Sequence, residues 1–201
     1  QRQAVYRSIE EMSTDPQQTD LVKPTTWLAP SNVQTSDGKV APLARFANHL
    51  MCDAQGAFPA TFNDLETDVI KREHGRDGFV AWYRNPGRGT LDSLTVPYRK
   101  GERLTPLHPD FVFFHRRADR SIGASIVDPH GHYFADAVPK LRGLADYAER
   151  YGDAFVRIDT VDVIGGQMLV LDLKRDSVRK AIRSAQDADS TSIYLQAGEA
   201  F

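Results

Sequence analysis

Two aspartates 18 positions apart, Asp110 and Asp128, have the surroundings best suited to metal-assisted chemistry in this chain. Asp110 opens a strand-like run in His108-Pro109-Asp110-Phe111, and Asp128 closes the next in Ile126-Val127-Asp128-Pro129-His130. If the two runs form a hairpin, the start of one lies beside the end of the other and the carboxylates become neighbours. Mg²⁺ takes hard oxygen ligands in a near-octahedral array, so acids converging from adjacent strands are an economical way to hold it. Glu66 offers a third acid within the apolar stripe Phe62, Leu65, Val69 and Ile70 of a helix. It is expected to face the sheet, where a carboxylate is costly unless paired or metal-bound. Asn63-Asp64-Leu65-Glu66 also fits a helix capping box with Asn63 as N-cap, a purely structural use of the same residue.

The elements that must position these acids follow from periodicity and breakers. Ala41 to Met51 has the spacing of a short amphipathic helix (Leu43, Phe46, Ala47, Leu50), ended by Gly56 and Pro59, and a second helix runs from Phe62 to Gly75. Four strands are expected at Phe79–Arg84, Ser93–Tyr98, Asp110–His115 and Ile122–Asp128, connected as an antiparallel meander. A helix carrying Leu141, Leu144, Ala145 and Ala148 follows, then strands at Ala154–Asp159 and Met168–Leu173, and a last helix over about Asp176–Ala185. This order describes an α/β fold, a mixed central sheet flanked by helices, over residues 59–201. Residues 1–58 read as an N-terminal helical and linker extension, with a polar helix-like stretch at Gln1–Met12 and loop composition over 13–40. Beginning at Gln1, the chain reads as a piece of a longer protein.

Composition narrows the setting. Of 201 residues, 41% are hydrophobic and 26% charged, a balance that excludes wholesale disorder and fibrous architectures. There is no apolar run of about 20 residues to cross a bilayer and no signal-like N-terminus, so no membrane association is expected. Cys52 alone cannot form an internal disulfide or a cysteine-based zinc site, and a reducing cytoplasm is the expected compartment. The net charge of −2 is unevenly spread: residues 71–120 hold 11 Lys/Arg against 6 Asp/Glu, leaving a local basic surface for a polyanion. Arg84 and Asn85, after Trp82 and Tyr83, and Arg116 and Arg117 at a hairpin tip are the candidate DNA contacts. Arg84 has the alternative role of neutralising the acids, and Trp82 that of a core residue.

Pro109-Asp110 followed by Asp128 at a strand end resembles the PD-(D/E)XK nuclease signature. The stretch Asn63 to Arg157 resembles the nuclease-like C-terminal domain of type III restriction-type and superfamily 2 DEAD/DEAH-box helicases, through five segments. These are Asn63-Asp64-Leu65-Glu66, Ala81-Trp82-Tyr83-Arg84-Asn85-Pro86, Pro109-Asp110-Phe111, Asp128-Pro129-His130-Gly131-His132 and Lys140-Leu141-Arg142-Gly143-Leu144-Ala145. The resemblance implies a restriction-endonuclease-like fold and a Mg²⁺- or Mn²⁺-dependent deoxyribonuclease with Glu66, Asp110 and Asp128 as metal ligands. It also implies DNA as substrate and an ATP-driven helicase domain in the parent chain. No Gly-x4-Gly-Lys-Ser/Thr loop is present here, so ATP belongs only to that parent.

Where the signature has a lysine, this chain has His130. Histidine can serve as general base, proton shuttle or ligand to a softer metal, and Lys140 at the start of the following helix is the nearest replacement for the lost cation. Asp172-Leu173-Lys174 matches the signature's Asp-x-Lys literally but lies 62 residues beyond Asp110. Two other readings stand beside the nuclease. One is a catalytically degenerate nuclease fold used for DNA binding or assembly in a defence or repair complex. The other is an unrelated α/β enzyme using Asp128 and His130 as an acid/base pair on a small substrate.

Overall fold

The computed structural model describes residues 25–26, 32–34, 38–132, 134–186 and 190–201, and the polar stretch Gln1–Met12 lies outside them. Among the described residues the N-terminal part forms three short strand pairs. These are β1 (Thr25–Thr26) with β5 (Met51–Cys52), β2 (Asn32–Gln34) with β3 (Val40–Pro42), and β4 (Ala44–Ala47) with β6 (Ala57–Ala60). Helix α1 (Asp64–His74) leads into β7 (Phe79–Arg84). A separate ribbon of β8 (Val96–Lys100) and β9 (Arg103–Leu107) precedes β10 (Phe111–Arg116) and β11 (Ile122–Pro129). Then come α2 (Ala137–Tyr151), β12 (Arg157–Ile164), β13 (Gln167–Asp172), α3 (Asp176–Ser184), α4 (Ser190–Ala197) and β14 (Glu199–Ala200).

The chain is thus mixed α/β, built on a six-stranded sheet ordered β14-β13-β12-β11-β10-β7. β7, β10 and β11 pair antiparallel, α2 carries the chain over to β12 parallel to β11, and β12, β13 and β14 pair antiparallel. Both faces are covered, which is why Ile126-Val127 can be apolar in succession: Ile126 faces the α2 side and Val127 the α1 side. On the α1 side Val69 and Ile70 meet Trp82, Phe111, Phe113, Val127 and Val161. On the other, Leu141, Leu144 and Ala148 of α2 meet Phe114, Ala124, Ile126, Ile158 and Leu171. Among the described residues no helix is long and apolar enough to cross a membrane.

Three local expectations are corrected. Ala41–Met51 is not a helix but β3, β4 and the start of β5; Phe46 pairs with Phe58 across β4 and β6, and Asn48 turns the chain at φ 64°. Its apolar positions answer to the edge of the sheet and not to a helical face: the Trp82 indole N–H donates to the carbonyl of Ala47 at 2.7 Å, and Phe46, Phe58 and Phe62 surround the Trp82 ring. This ribbon straddles residue 58, so packing on the sheet begins upstream of that position. The strand expected at 93–98 is shifted to β8 and turns at Gly101 (φ 59°) into the unanticipated β9, so the meander is interrupted by a ribbon. That ribbon docks on α2 where Gly143 leaves room: a Cβ there would sit 2.5 Å from Tyr98 Cβ. The tail, finally, holds α4 and β14.

Candidate functional site

The register of the β10–β11 hairpin pairs Phe111 with Val127, which sets Asp110 and Asp128 side by side at one end of the sheet. The backbone N–H of Asp110 donates to Asp128 Oδ1 at 2.9 Å. Asn85 pins the approach to this turn: its side-chain amide donates to the carbonyls of Pro109 and Leu94, both at 2.8 Å, and its Oδ1 accepts from the Leu94 N–H at 2.7 Å. Asn85 is 2% exposed and serves the interior, so its expected contact with DNA is corrected to a structural role.

Glu66 does face the sheet, and both of its oxygens are engaged. Oε2 accepts from the Asn63 N–H at 2.9 Å, while Asn63 Oδ1 accepts from the Glu66 N–H at 2.8 Å, a complete capping box. Oε1 lies 2.9 Å from Arg84 Nη2, and the same nitrogen lies 3.0 Å from Asp110 Oδ1. The Arg84 guanidinium also covers the rings of Phe62 and Phe111, 5.5 and 4.9 Å from their centroids. Arg84 is therefore the cation of the acid cluster, not an arm extended to a nucleic acid. Among the described residues no group of three or more His, Cys, Asp and Glu side chains has an arrangement that could hold a metal ion. The three-acid set expected from the sequence reduces to Asp110 and Asp128, because cap and arginine consume Glu66.

Beside the acids lies a cleft of about 530 Å³ at the carboxyl ends of the parallel strands β11 and β12, the usual place for a ligand in an open α/β sheet. Asp110, Asp128, His130, His132, Lys140 and Asp162 all line it. The His130 N–H donates to the Val161 carbonyl at 2.8 Å, extending the strand pairing past Pro129. Its Nδ1 stops 3.7 Å from Asp128 Oδ2, beyond hydrogen-bond reach. Asp128 Oδ2 and His130 Nε2 are both buried without a hydrogen-bond partner, a cost that native interiors avoid unless a ligand, ion or water completes the site. Lys140 Nζ reaches Asp136 Oδ1 at 3.1 Å and approaches the Phe134 ring at 5.7 Å. Asp136 also accepts from Tyr98 Oη at 3.0 Å and Lys100 Nζ at 3.1 Å; these bonds outweigh the effect of burial and hold its pKa at about 2.

Burial sets the protonation of the cleft. It pushes Asp128 up to about 8, helped by the charge of Asp110 and opposed by the Asp110 N–H. It raises Asp110 to about 6, opposed by Arg84 and reinforced by Glu66. It lowers His130 to about 4, with Lys140 pushing the same way. At neutral pH the metal-free cleft therefore holds a neutral imidazole and a protonated Asp128.

Arg116 and Arg117 stand apart. β10 runs away from Asp110, so its final residue, Arg116, is about 20 Å from the acids, at the opposite end of the sheet. The basic hairpin tip, expected as a DNA contact, is thus a surface separate from the acids. Asp172 lies two strands across the sheet from Val127, opposite Asp159, and Lys174 turns away from the cleft, its Nζ donating to the Phe155 carbonyl at 2.8 Å. Sequence reasoning missed Asp162, whose Oδ2 lies 2.9 Å from His132 Nδ1. The available signal was the alternation of Thr160 and Asp162 with Val161 and Val163 along the strand. It also missed a buried ionic network between α1 and β12, where Arg157 bridges Glu73 at 2.6 Å and Asp159 at 2.7 Å.

A family model described as the YagJ family matches residues 47–200. Protein YagJ of Escherichia coli (strain K12) is 42% identical over 190 residues, covering 94% of this chain and 77% of that protein. No solved structure matches the chain.

Proposed function

The chain belongs to the YagJ family, and we propose that its cleft is a nuclease-type site that hydrolyses DNA phosphodiesters with Mg²⁺ or Mn²⁺, on a fold of the restriction-endonuclease type. The observation that carries this reading is the joining of Asp110 and Asp128 at the cleft, with Asp128 Oδ2 buried and unsatisfied. Mg²⁺ often sits on one or two protein carboxylates and completes its shell with water and substrate phosphate. Asp110 and Asp128 fit that demand and would be the two protein ligands. The ion would supply Lewis acidity toward the phosphoryl oxygens. Around it, Arg84 offsets the charge of Glu66 and Asp110, and Lys140 places a cation at the cleft for a phosphate or a leaving oxygen.

Cleavage of plasmid and single-stranded DNA by the 201-residue chain, with each ion in turn, tests the proposal. Metal-dependent cutting that disappears in both Asp110→Ala and Asp128→Ala supports it. No cutting by folded wild type with either ion sinks it. One observation favours a second reading: Arg84 already neutralises two of the three acids and His130 stands where the signature has lysine. Under that reading the fold binds DNA without cutting it, and the same assays return binding with no metal dependence.

A further inference from the structure

The proposed reaction requires a group to take a proton from the attacking water, and the signature lysine that would assist it is absent. His130 does not have the build of a base. It is 8% exposed, and neither ring nitrogen has a carboxylate within hydrogen-bond distance to fix its tautomer. His132, two residues on, has that build. Its Nδ1 lies 2.9 Å from Asp162 Oδ2, and its side chain is 34% exposed on the wall of the same cleft.

Asp162 is itself held in place. It is 3% exposed on β12, and its Oδ1 accepts from the Val163 N–H at 2.7 Å, which turns Oδ2 toward the imidazole. The His132 backbone is fixed from the other side, where the buried Ser190 hydroxyl donates to its carbonyl at 2.9 Å. A carboxylate on Nδ1 keeps the proton on that nitrogen, stabilises the imidazolium once it forms, and leaves proton transfer to Nε2. The charged or titratable neighbours lining the cleft with this pair are His108, Asp110, Asp128, His130 and Lys140.

We propose that His132 is the general base of this site and Asp162 its positioning residue, the pair replacing the lysine of the nuclease signature; the proposal rests on the phosphodiesterase reading above. In the step, the oxygen of a water forms a bond to phosphorus as its proton passes to His132 Nε2. The ester P–O bond breaks, and the leaving oxyanion takes a proton from solvent. His132 then returns its proton to solvent.

The test compares wild type, His132→Ala, His132→Asn and Asp162→Asn in Mg²⁺- or Mn²⁺-dependent cleavage of a labelled oligonucleotide. Binding of the same oligonucleotide is followed by fluorescence anisotropy, and folding by thermal melting. Removing a general base is expected to lower kcat on the order of 10²-fold or more, with binding unchanged. Added imidazole should restore part of the rate to His132→Ala, and the acidic limb of the wild-type pH–rate profile should become shallower in both His132 variants, keeping only the part that deprotonation of Asp110 and Asp128 contributes. Asp162→Asn should lower kcat with KM preserved. His132→Asn keeps a donor toward Asp162 and guards against a loss that is merely structural. The dyad is overturned if wild type cuts and the folded His132 variants cut equally well. It is also overturned if they lose rate and binding together with no imidazole rescue. A folded wild type that cuts nothing overturns the nuclease reading itself, an outcome distinct from either.

Discussion

The backbone N–H of Asp110 donates to Asp128 Oδ1 at 2.9 Å, so one acid orients the other through the main chain and not through its carboxylate. The bond leaves Asp128 Oδ2 as the group with an unmet requirement, and ties its protonation to the turn at Pro109.

Removing that protonation should register as pH-dependent stability. Asp128 titrates near 8 in the folded metal-free protein and near 4 when unfolded, so its contribution is full below the unfolded value and is lost as pH rises through the folded one. Thermal melts between pH about 6.5 and about 8 avoid the window in which the lowered His49 and His130 act in the opposite sense. Across it wild type should lose up to about 2 kcal/mol relative to Asp128→Asn. Parallel curves for the two proteins would refute the assignment.

Divalent cations should reverse the loss. An ion that binds only the folded chain at a hundredfold excess over its Kd adds about 2.7 kcal/mol, or roughly 5–10 °C in Tm for a chain of this size. Calorimetry with Mn²⁺ and Mg²⁺ should show that rise in wild type and lose it in Asp110→Asn and Asp128→Asn. Equal shifts in all three proteins would place the ion elsewhere.

Arg84 holds two acids at once, and removing it leaves Asp110 without its ion-pair partner and Glu66 with only its cap bond to the Asn63 N–H. Arg84→Ala should destabilise the protein by roughly 2–4 kcal/mol at neutral pH, less than for a fully buried pair because the guanidinium is 29% exposed. Adding Glu66→Gln to that variant should recover part of the loss. A simple sum of the two single effects in chemical denaturation would show that Arg84 and Glu66 are uncoupled.

Asn85→Ala removes three hydrogen bonds, the one to Pro109 buried and the two to Leu94 part-buried, and strands the Leu94 and Pro109 backbone groups. A loss of about 3 kcal/mol is expected in urea unfolding. Affinity for DNA in the folded variant should change no more than the loosened Pro109-Asp110 turn dictates. Asn85→Asp, which turns the donor nitrogen into an acceptor, should be at least as damaging.

The meeting of Asp110 with Asp128 is legible in the sequence because it needs only two adjacent runs joined as a hairpin, and the charged turn at 116–121 signals one. The helix at 64–74 is legible too, since Asn63 and Glu66 spell its cap and Val69 and Ile70 its face. Ala41–Met51 defeats the helical pattern because Phe46 and Ala47, two of its four apolar positions, lie in β4, which folds against the Trp82 ring, and Leu43 and Leu50 fall between strands. The role of Arg84 depends on register: only when Phe111 lies opposite Arg84 does the guanidinium fall between Glu66 and Asp110. Asp162 escaped notice because its partner His132 is 30 positions away, across a helix whose crossing no local pattern encodes.

The way segment 47–50 lies along β7 also bears on how this molecule meets others. Trp82 exchanges backbone hydrogen bonds with Asn48 and Leu50, and the Arg84 N–H is taken by His49 Nε2 at 2.8 Å. The opposite rim of the sheet ends in β14, a strand of two residues. Exposed strand edges are where chains add to one another in register and aggregate. Here the β7 rim is masked by the chain's own upstream loop. Growth by strand addition is thus blocked along β7, and a partner approaching that rim meets side chains and not free backbone.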